Sequence, residues 1–142
     1  MFKIKYVENE SINSTAAMQI ISEFPQYYWR TEEKTRKAIC SSLCNVAAYD
    51  CENGKLVGFV LAGSPDNAYF IYIHSLMVAP EYQNMHIGET LIKKILMYCK
   101  ELDYMDIVCF AAPGARDFLE KLGFEKDLGN IQGMILNKEK VR

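Results

Sequence analysis

LMVAPEYQNMHIGETLI, Leu76 to Ile92, is the stretch on which the fold turns. Leu76 to Val78 end a strand, Ala79 to His86 form a loop, and Ile87 opens a helix. Upstream, Tyr69 to Val78 carries apolar residues on both faces of most of its length, the pattern of a central strand covered on both sides. Downstream, Ile87, Leu91, Ile92, Ile95, Tyr98, Cys99 and Leu102 fall on one arc of a helix that runs to Leu102, with Glu89, Thr90, Lys93, Lys94, Lys100 and Glu101 opposite. No Ser, Thr or Asp stands directly before the first apolar residue, and Asn84 is the near candidate for a cap. Backbone N–H groups at 84–88 therefore need acceptors, and they lie at the positive end of the helix dipole. A phosphate supplies both acceptors and negative charge. Gly88 has no Cβ, so a pyrophosphate can approach the backbone there.

The remaining elements follow from period and punctuation. Phe2 to Val7 alternates as a short strand. Ser11 to Phe24 repeats apolar residues every fourth position as an amphipathic helix that Pro25 stops. Thr31, followed by Glu32 and Glu33, caps a second helix that runs to about Leu43. Asn45 to Asp50 and Lys55 to Gly63 are strands joined through Asn53-Gly54, a strong hairpin turn. Asp106 to Ala111 is a further strand, Ala115 to Lys121 a short helix broken at Gly123, and Met134 to Asn137 a last strand. With no repeat or linker, residues 1–142 read as a single mixed α/β domain.

Half of the 142 residues are hydrophobic and 24% are charged, with a net charge of -2. Neither that balance nor any run of Lys and Arg suits a nucleic-acid partner. No stretch approaches the roughly 20 apolar residues of a membrane span, and MFKIKYVENE lacks the apolar run of a signal peptide. The expected location is the cytoplasm. Cys40, Cys44, Cys51, Cys99 and Cys109 include no CxxC pair, and only His74 and His86 add imidazoles, so no metal site is expected. The cysteines read as buried free thiols.

Leu76–Ile92 resembles the central motif of the GNAT superfamily of acetyl-CoA-dependent N-acyltransferases: an apolar strand, a proline, Gln or Arg, two residues, Gly, one residue, Gly or Ala. Pro80, Gln83 and Gly88 match, and His86 stands where the first glycine is expected. DFLEKLGF, Asp117 to Phe124, is similar to the family's Phe-Tyr, three residues, Gly-Phe motif. Phe118, Gly123 and Phe124 match there, and Leu119 occupies the tyrosine position. The order of elements agrees along the chain. The resemblance implies a mostly antiparallel sheet with a splayed central strand, flanked by helices, and no metal.

It further implies direct acetyl transfer from acetyl-CoA to the primary amine of a small molecule, peptide or protein, by a monomer or homodimer. Leu76, Met77 and Val78 correspond to the strand end that offers backbone groups to the acyl chain and pantetheine, with an N–H near Val78 as oxyanion donor. Gln83, Asn84, Met85, His86, Ile87, Gly88 and Glu89 correspond to the pyrophosphate loop. His86 either takes a positive φ and places its imidazole beside the pyrophosphate, or points away as a surface histidine. His74 and Ser75 interrupt the apolar strand, and alternation lets one of them face the acceptor cleft as base or proton relay. Tyr27, Tyr28, Trp29 and Arg30 lie where the family walls its acceptor pocket, and the rings either enclose an amine or pack the helix pair. Leu119 cannot protonate a departing thiolate. That leaves a second reading, a catalytically weak or inactive acyl-CoA-binding module.

Overall fold

The computed structural model describes residues 2–112, 114–126, 134 and 136–140. They divide into two compact units, residues up to 109 and residues from 110.

The first unit holds a five-stranded sheet in the order β1-β2-β3-β4-β5, with β1 Ile4–Glu8, β2 Cys44–Asp50, β3 Leu56–Gly63, β4 Phe70–Val78 and β5 Asp106–Cys109. The first four strands pair antiparallel and β5 joins β4 in parallel. Three helices flank the sheet: α1 Ser14–Ile21, α2 Glu32–Cys40 and α3 Ile87–Cys99. The expected mixed, mostly antiparallel sheet is thus present. The expected closing strand at Met134–Asn137 passes through Ile135, which lies outside the described residues.

Local chemistry sets the element ends. The Asn13 side chain accepts from the Ala16 N–H at 2.9 Å, so α1 begins later than Ser11. Pro25 holds Phe24 in an extended conformation, and Pro25–Tyr27 continues as one 3₁₀ turn. Thr31 caps α2 by accepting from Lys34 N–H. That helix stops at Cys40, short of Leu43, because the Leu43 N–H already donates to the Ala62 carbonyl of β3. The Asn53-Gly54 turn forms as expected, with Gly54 at φ 70° and Asp50 N–H donating to Lys55. β5 ends at Cys109, short of Ala111.

Gly58 marks the face of the sheet that takes α3. A Cβ on Gly58 would lie 3.0 Å from the Met77 carbonyl and 3.2 Å from Leu91 Cδ1, so α3 packs on the face to which Gly58 points. Val57, Phe59 and Leu61 point to the other face, which α1 covers. Phe59, Leu61, Leu91, Ile92 and Ile95 are fully buried, whereas Tyr98, expected on the buried arc, is 40% exposed. β4 also departs from expectation. Ile71, Ile73 and Met77 are buried, but Tyr72 and His74 are only half-buried and Phe70 is exposed. One face of the central strand is therefore incompletely covered.

The cysteines divide likewise. Cys44 and Cys99 are buried with their sulfurs 3.7 Å apart, Cys109 is intermediate, and Cys40 and Cys51 are exposed rather than buried. All five are free thiols. Among the described residues no helix is long and apolar enough to cross a membrane.

The second unit contains a short helix, α4 Arg116–Lys121. Its break at Gly123 is as expected: Gly123 takes φ 98°, and the Gly123 and Phe124 N–H groups return to the carbonyls of Glu120 and Leu119.

Candidate functional site

β4 pairs with β5 only over Phe70 to Ile73, opposite Asp106 to Cys109. Beyond Ile73 the edge of β4 that faced β5 has no ladder partner among the described residues. On its other edge β4 stays paired, Met77 with Phe59 and Val78 with Gly58. Ala79 N–H donates to the Val57 carbonyl at 2.9 Å. Backbone groups alternate direction along a strand, so Met77 turns its N–H and C=O toward β3, and Val78 turns its own toward the free edge. The Gln83 side chain confirms that direction by donating to the Val78 carbonyl at 3.0 Å. Of the strand-end residues read from the sequence, Val78 thus turns its backbone groups to that edge, whereas Met77 turns its own to β3 and buries its side chain.

The loop after β4 is held from below. Pro80–Tyr82 forms a 3₁₀ turn, and the Tyr82 hydroxyl donates to Asp50 Oδ2 at 2.7 Å inside the sheet, where Asp50 is 1% exposed. That bond holds the Tyr82 phenol above its ordinary pKa. Past this anchor, Asn84 and His86 both take left-handed backbone, at φ 62° and 61°. His86 is the residue before α3 and makes no side-chain cap, so the first N–H groups of the helix are left for another acceptor. Its ring is 85% exposed and bonds Glu89 at 3.1 Å. Lys93 at 2.6 Å, and then His86, hold the Glu89 carboxyl below its usual range. Gly88 lies over the strand end: a Cβ there would meet Val78 Cγ2 at 3.7 Å and nothing else nearby. The protein leaves this space open, and the residues fit a pyrophosphate cradle.

The second cluster forms where β4 is irregular. Between the pairs Leu61–His74 and Phe59–Met77, β4 has one residue more than β3, and Ser75 sits in this bulge at φ 57°. The bulge overturns the alternation expected of neighbours. Instead of pointing to opposite faces, His74 and Ser75 meet, Nδ1 to Oγ at 3.0 Å. Arg30 Nη1 donates to the same hydroxyl at 3.1 Å. The His74 ring stacks on Tyr72, with centroids 5.1 Å apart. Burial, and then the Arg30 charge, hold the His74 pKa below the ordinary histidine value.

Arg30 comes from the segment between α1 and α2. Its guanidinium carbon stands 5.3 Å from the ring centroids of both Tyr27 and Trp29. Tyr28 is 88% and Trp29 59% exposed, whereas Tyr27 is half-buried with its ring centroid 6.2 Å from that of Phe24. Arg30, Tyr27 and Tyr28 border a cleft with Met18, Ile21 and Phe24. The bulge thus joins two groups of residues read separately from the sequence, 27–30 and 74–75.

Residues 14–124 match the family model described as the acetyltransferase (GNAT) family. The chain belongs to the GNAT acetyltransferase family. An uncharacterized N-acetyltransferase of Pyropia yezoensis is 34% identical over 82 residues, 58% of this chain and 47% of that protein. The chloroplastic GCN5-related N-acetyltransferase 3 of Arabidopsis thaliana is 30% identical over 135 residues, 95% of this chain and 53% of that protein. The chain thus spans about half the length of these relatives. An acetyltransferase of the GNAT family from Streptococcus pneumoniae has the same fold, with a TM-score of 0.79 at 22% identity, over 96% of this chain and 99% of that one. The family uses acetyl-CoA as cosubstrate.

Within the GNAT frame, sequence reasoning missed Tyr72, Asp50 and Tyr82. Tyr72 reads as one more apolar position of β4, and the buried Asp50–Tyr82 bond spans 32 residues with no local pattern to announce it. Leu119, in the family's tyrosine position, is buried and aliphatic, and supplies no proton.

Proposed function

We propose that this protein is an acetyl-CoA-dependent N-acetyltransferase that transfers the acetyl group directly to a primary amine, and that it acts in the cytoplasm. One observation carries the reading: the edge of β4 at Val78, without a ladder partner among the described residues, adjoins an uncapped helix start that Gly88 keeps open. The α3 N-terminus and the Asn84–Glu89 backbone would hold the pyrophosphate. When bound, acetyl-CoA supplies an activated acyl group and a thiol leaving group.

The chain's own residues then divide the work. Val78 N–H points to the free edge, where a carbonyl oxygen gaining negative charge needs a donor. Ser75 accepts from Arg30, so its own proton is directed to His74 Nδ1. His74, held neutral by burial and by Arg30, is ready to take the proton that an attacking amine loses through Ser75. No phenol is required for departure, since a thiol of pKa about 8.5 leaves tolerably as thiolate. A thiol-release assay over a panel of amines, with acetyl-CoA affinity measured by calorimetry, tests the proposal. Absence of binding at millimolar acetyl-CoA would sink it.

Leu119 favours a second reading, an acyl-CoA-binding module with weak or no activity. Tight binding of CoA with no thiol release from any amine would select that reading.

A further inference from the structure

We propose that Arg30 is an anion-binding residue of the acceptor pocket, and that the acceptor is a small amino acid whose carboxylate lies a few bonds from its amine. The inference rests on the transferase reading and narrows its acceptor.

A guanidinium offers five N–H donors. Among the described residues the Arg30 side chain makes one hydrogen bond, to Ser75, and its buried Nε has no partner. Its charge is likewise unmatched. Lys37, Lys55, His86, Lys93 and Arg116 take the ion pairs among the described residues, and Arg30 is in none. Two aromatic rings and one hydroxyl hold it instead. Aromatic faces stabilise the charge but accept no in-plane hydrogen bond, so the planar fork is fixed in orientation with donors to spare. It also borders the cleft beside α1. An arginine of this kind is prepared for a carboxylate.

The neighbouring groups set the charge and reach of the ligand. His74 is held toward its neutral form, and Tyr72 is pushed above its ordinary pKa, chiefly by burial. The cluster therefore carries one positive charge at neutral pH, which suits a carboxylate monoanion better than a phosphate dianion. Arg30 and His74 share the Ser75 hydroxyl, at 3.1 and 3.0 Å. An acceptor with its anion on Arg30 and its amine at the Ser75–His74 relay must keep those groups close, as α- and β-amino acids do.

The test compares matched acceptors: alanine with alaninamide, and β-alanine with aminoethyl phosphate, in thiol release by the wild type, Arg30→Gln and Arg30→Lys. The wild type should favour alanine over alaninamide by about 10- to 10²-fold in kcat/KM, the worth of hydrogen bonding to a charged group, and β-alanine over aminoethyl phosphate. Arg30→Gln should collapse that ratio toward one while acetyl-CoA affinity stays put. Arg30→Lys should fall between, since it keeps the charge and loses the fork. Equal use of acid and amide by the wild type, an unchanged ratio in Arg30→Gln, or preference for the phosphate overturns the proposal. If acetyl-CoA binds but no amine is turned over, the transferase reading fails separately. Calorimetry of the CoA-loaded protein with N-acetylalanine and N-acetylalaninamide then decides. Tighter binding of the acid, lost in Arg30→Gln, upholds the anion site. Equal affinities, or no binding of either, refute it.

Discussion

The two halves of this site are built by different means. Gln83 to Glu89 is a cradle of backbone: two left-handed residues, an uncapped helix start and a glycine, all within one continuous stretch. Arg30, His74 and Ser75 are a cluster of side chains, joined across 45 residues by a bulge in β4. A backbone cradle tolerates changes in side chain so long as the path is kept, which is how His86 can stand in a glycine's place. A side-chain cluster tolerates path changes poorly, since one residue more or fewer in β4 turns His74 to the other face. Under the proposed function the cradle would serve a cosubstrate common to the family, and the cluster would recognise the individual acceptor.

The comparison breaks first at Gly88. Gly88→Glu places a carboxylate where the proposed pyrophosphate lies, and calorimetry should show acetyl-CoA binding lost at millimolar ligand. The fold should survive. A Cβ there meets only Val78 at ordinary contact distance, and an acidic residue in the first turn of a helix is favourable. Unchanged affinity in a folded Gly88→Glu protein would refute the cradle.

The cluster is tested by His74→Asn, which should lower kcat/KM by about 10²- to 10⁴-fold, the range of a general base, with acetyl-CoA affinity retained. The pH profile carries the sign. Burial and Arg30 both disfavour the imidazolium, so the acid limb of kcat/KM should fall below the ordinary histidine value of about 6.5. Removing the cation with Arg30→Gln should move that limb to higher pH. Folding follows the same shift: the unfolded chain takes up the proton more readily, so stability should decline as pH drops below about 6.5. A limb that stays put in Arg30→Gln would mean that the limb belongs to another group.

These two experiments divide along the line between what the sequence made legible and what it did not. The cradle was readable because its parts are neighbours: a strand, a proline, Gln83, Gly88 and an amphipathic helix lie in one run. The β2–β3 hairpin was readable for a similar reason, since Asn53-Gly54 acts locally. The cluster was readable only as separate pieces. Alternation assigned His74 and Ser75 to opposite faces, and nothing in HSLM marks Ser75 as a bulge residue at φ 57°. A serine there is chosen by its hydroxyl rather than by backbone preference, so propensity points the wrong way. Asp50 and Tyr82 escaped notice because a buried carboxylate–phenol bond leaves no periodic trace.

Ser75→Gly separates the two contributions of that residue. Glycine suits positive φ, but it also adds freedom to the unfolded chain, so stability should stay within about 1 kcal/mol of wild type. Activity should not follow, because loss of the hydroxyl cuts the link between Arg30 and His74. A fall of about tenfold or more in kcat/KM with an unshifted Tm is the expected pair of results. Full activity in Ser75→Gly would remove Ser75 from the relay.

The smallest effect is expected at His86, where the contrast between backbone and side chain is sharpest. His86→Gly restores the family's residue at a position already held at φ 61°, relieving a conformation that costs a non-glycine residue about 1 kcal/mol or more. Glu89 loses its imidazole partner but keeps Lys93 at 2.6 Å. The exposed ring bonds Glu89, not the helix N–H groups, so the donors of the cradle are unchanged by its removal. Tm should stay within a few degrees of wild type, since glycine also adds freedom to the unfolded chain, and acetyl-CoA affinity should stay within about threefold, less than 1 kcal/mol. A tenfold loss of affinity would instead place the imidazole against the pyrophosphate. The cradle would then depend on a side chain much as the acceptor cluster does, and the division between the two halves of the site would have to be redrawn at His86.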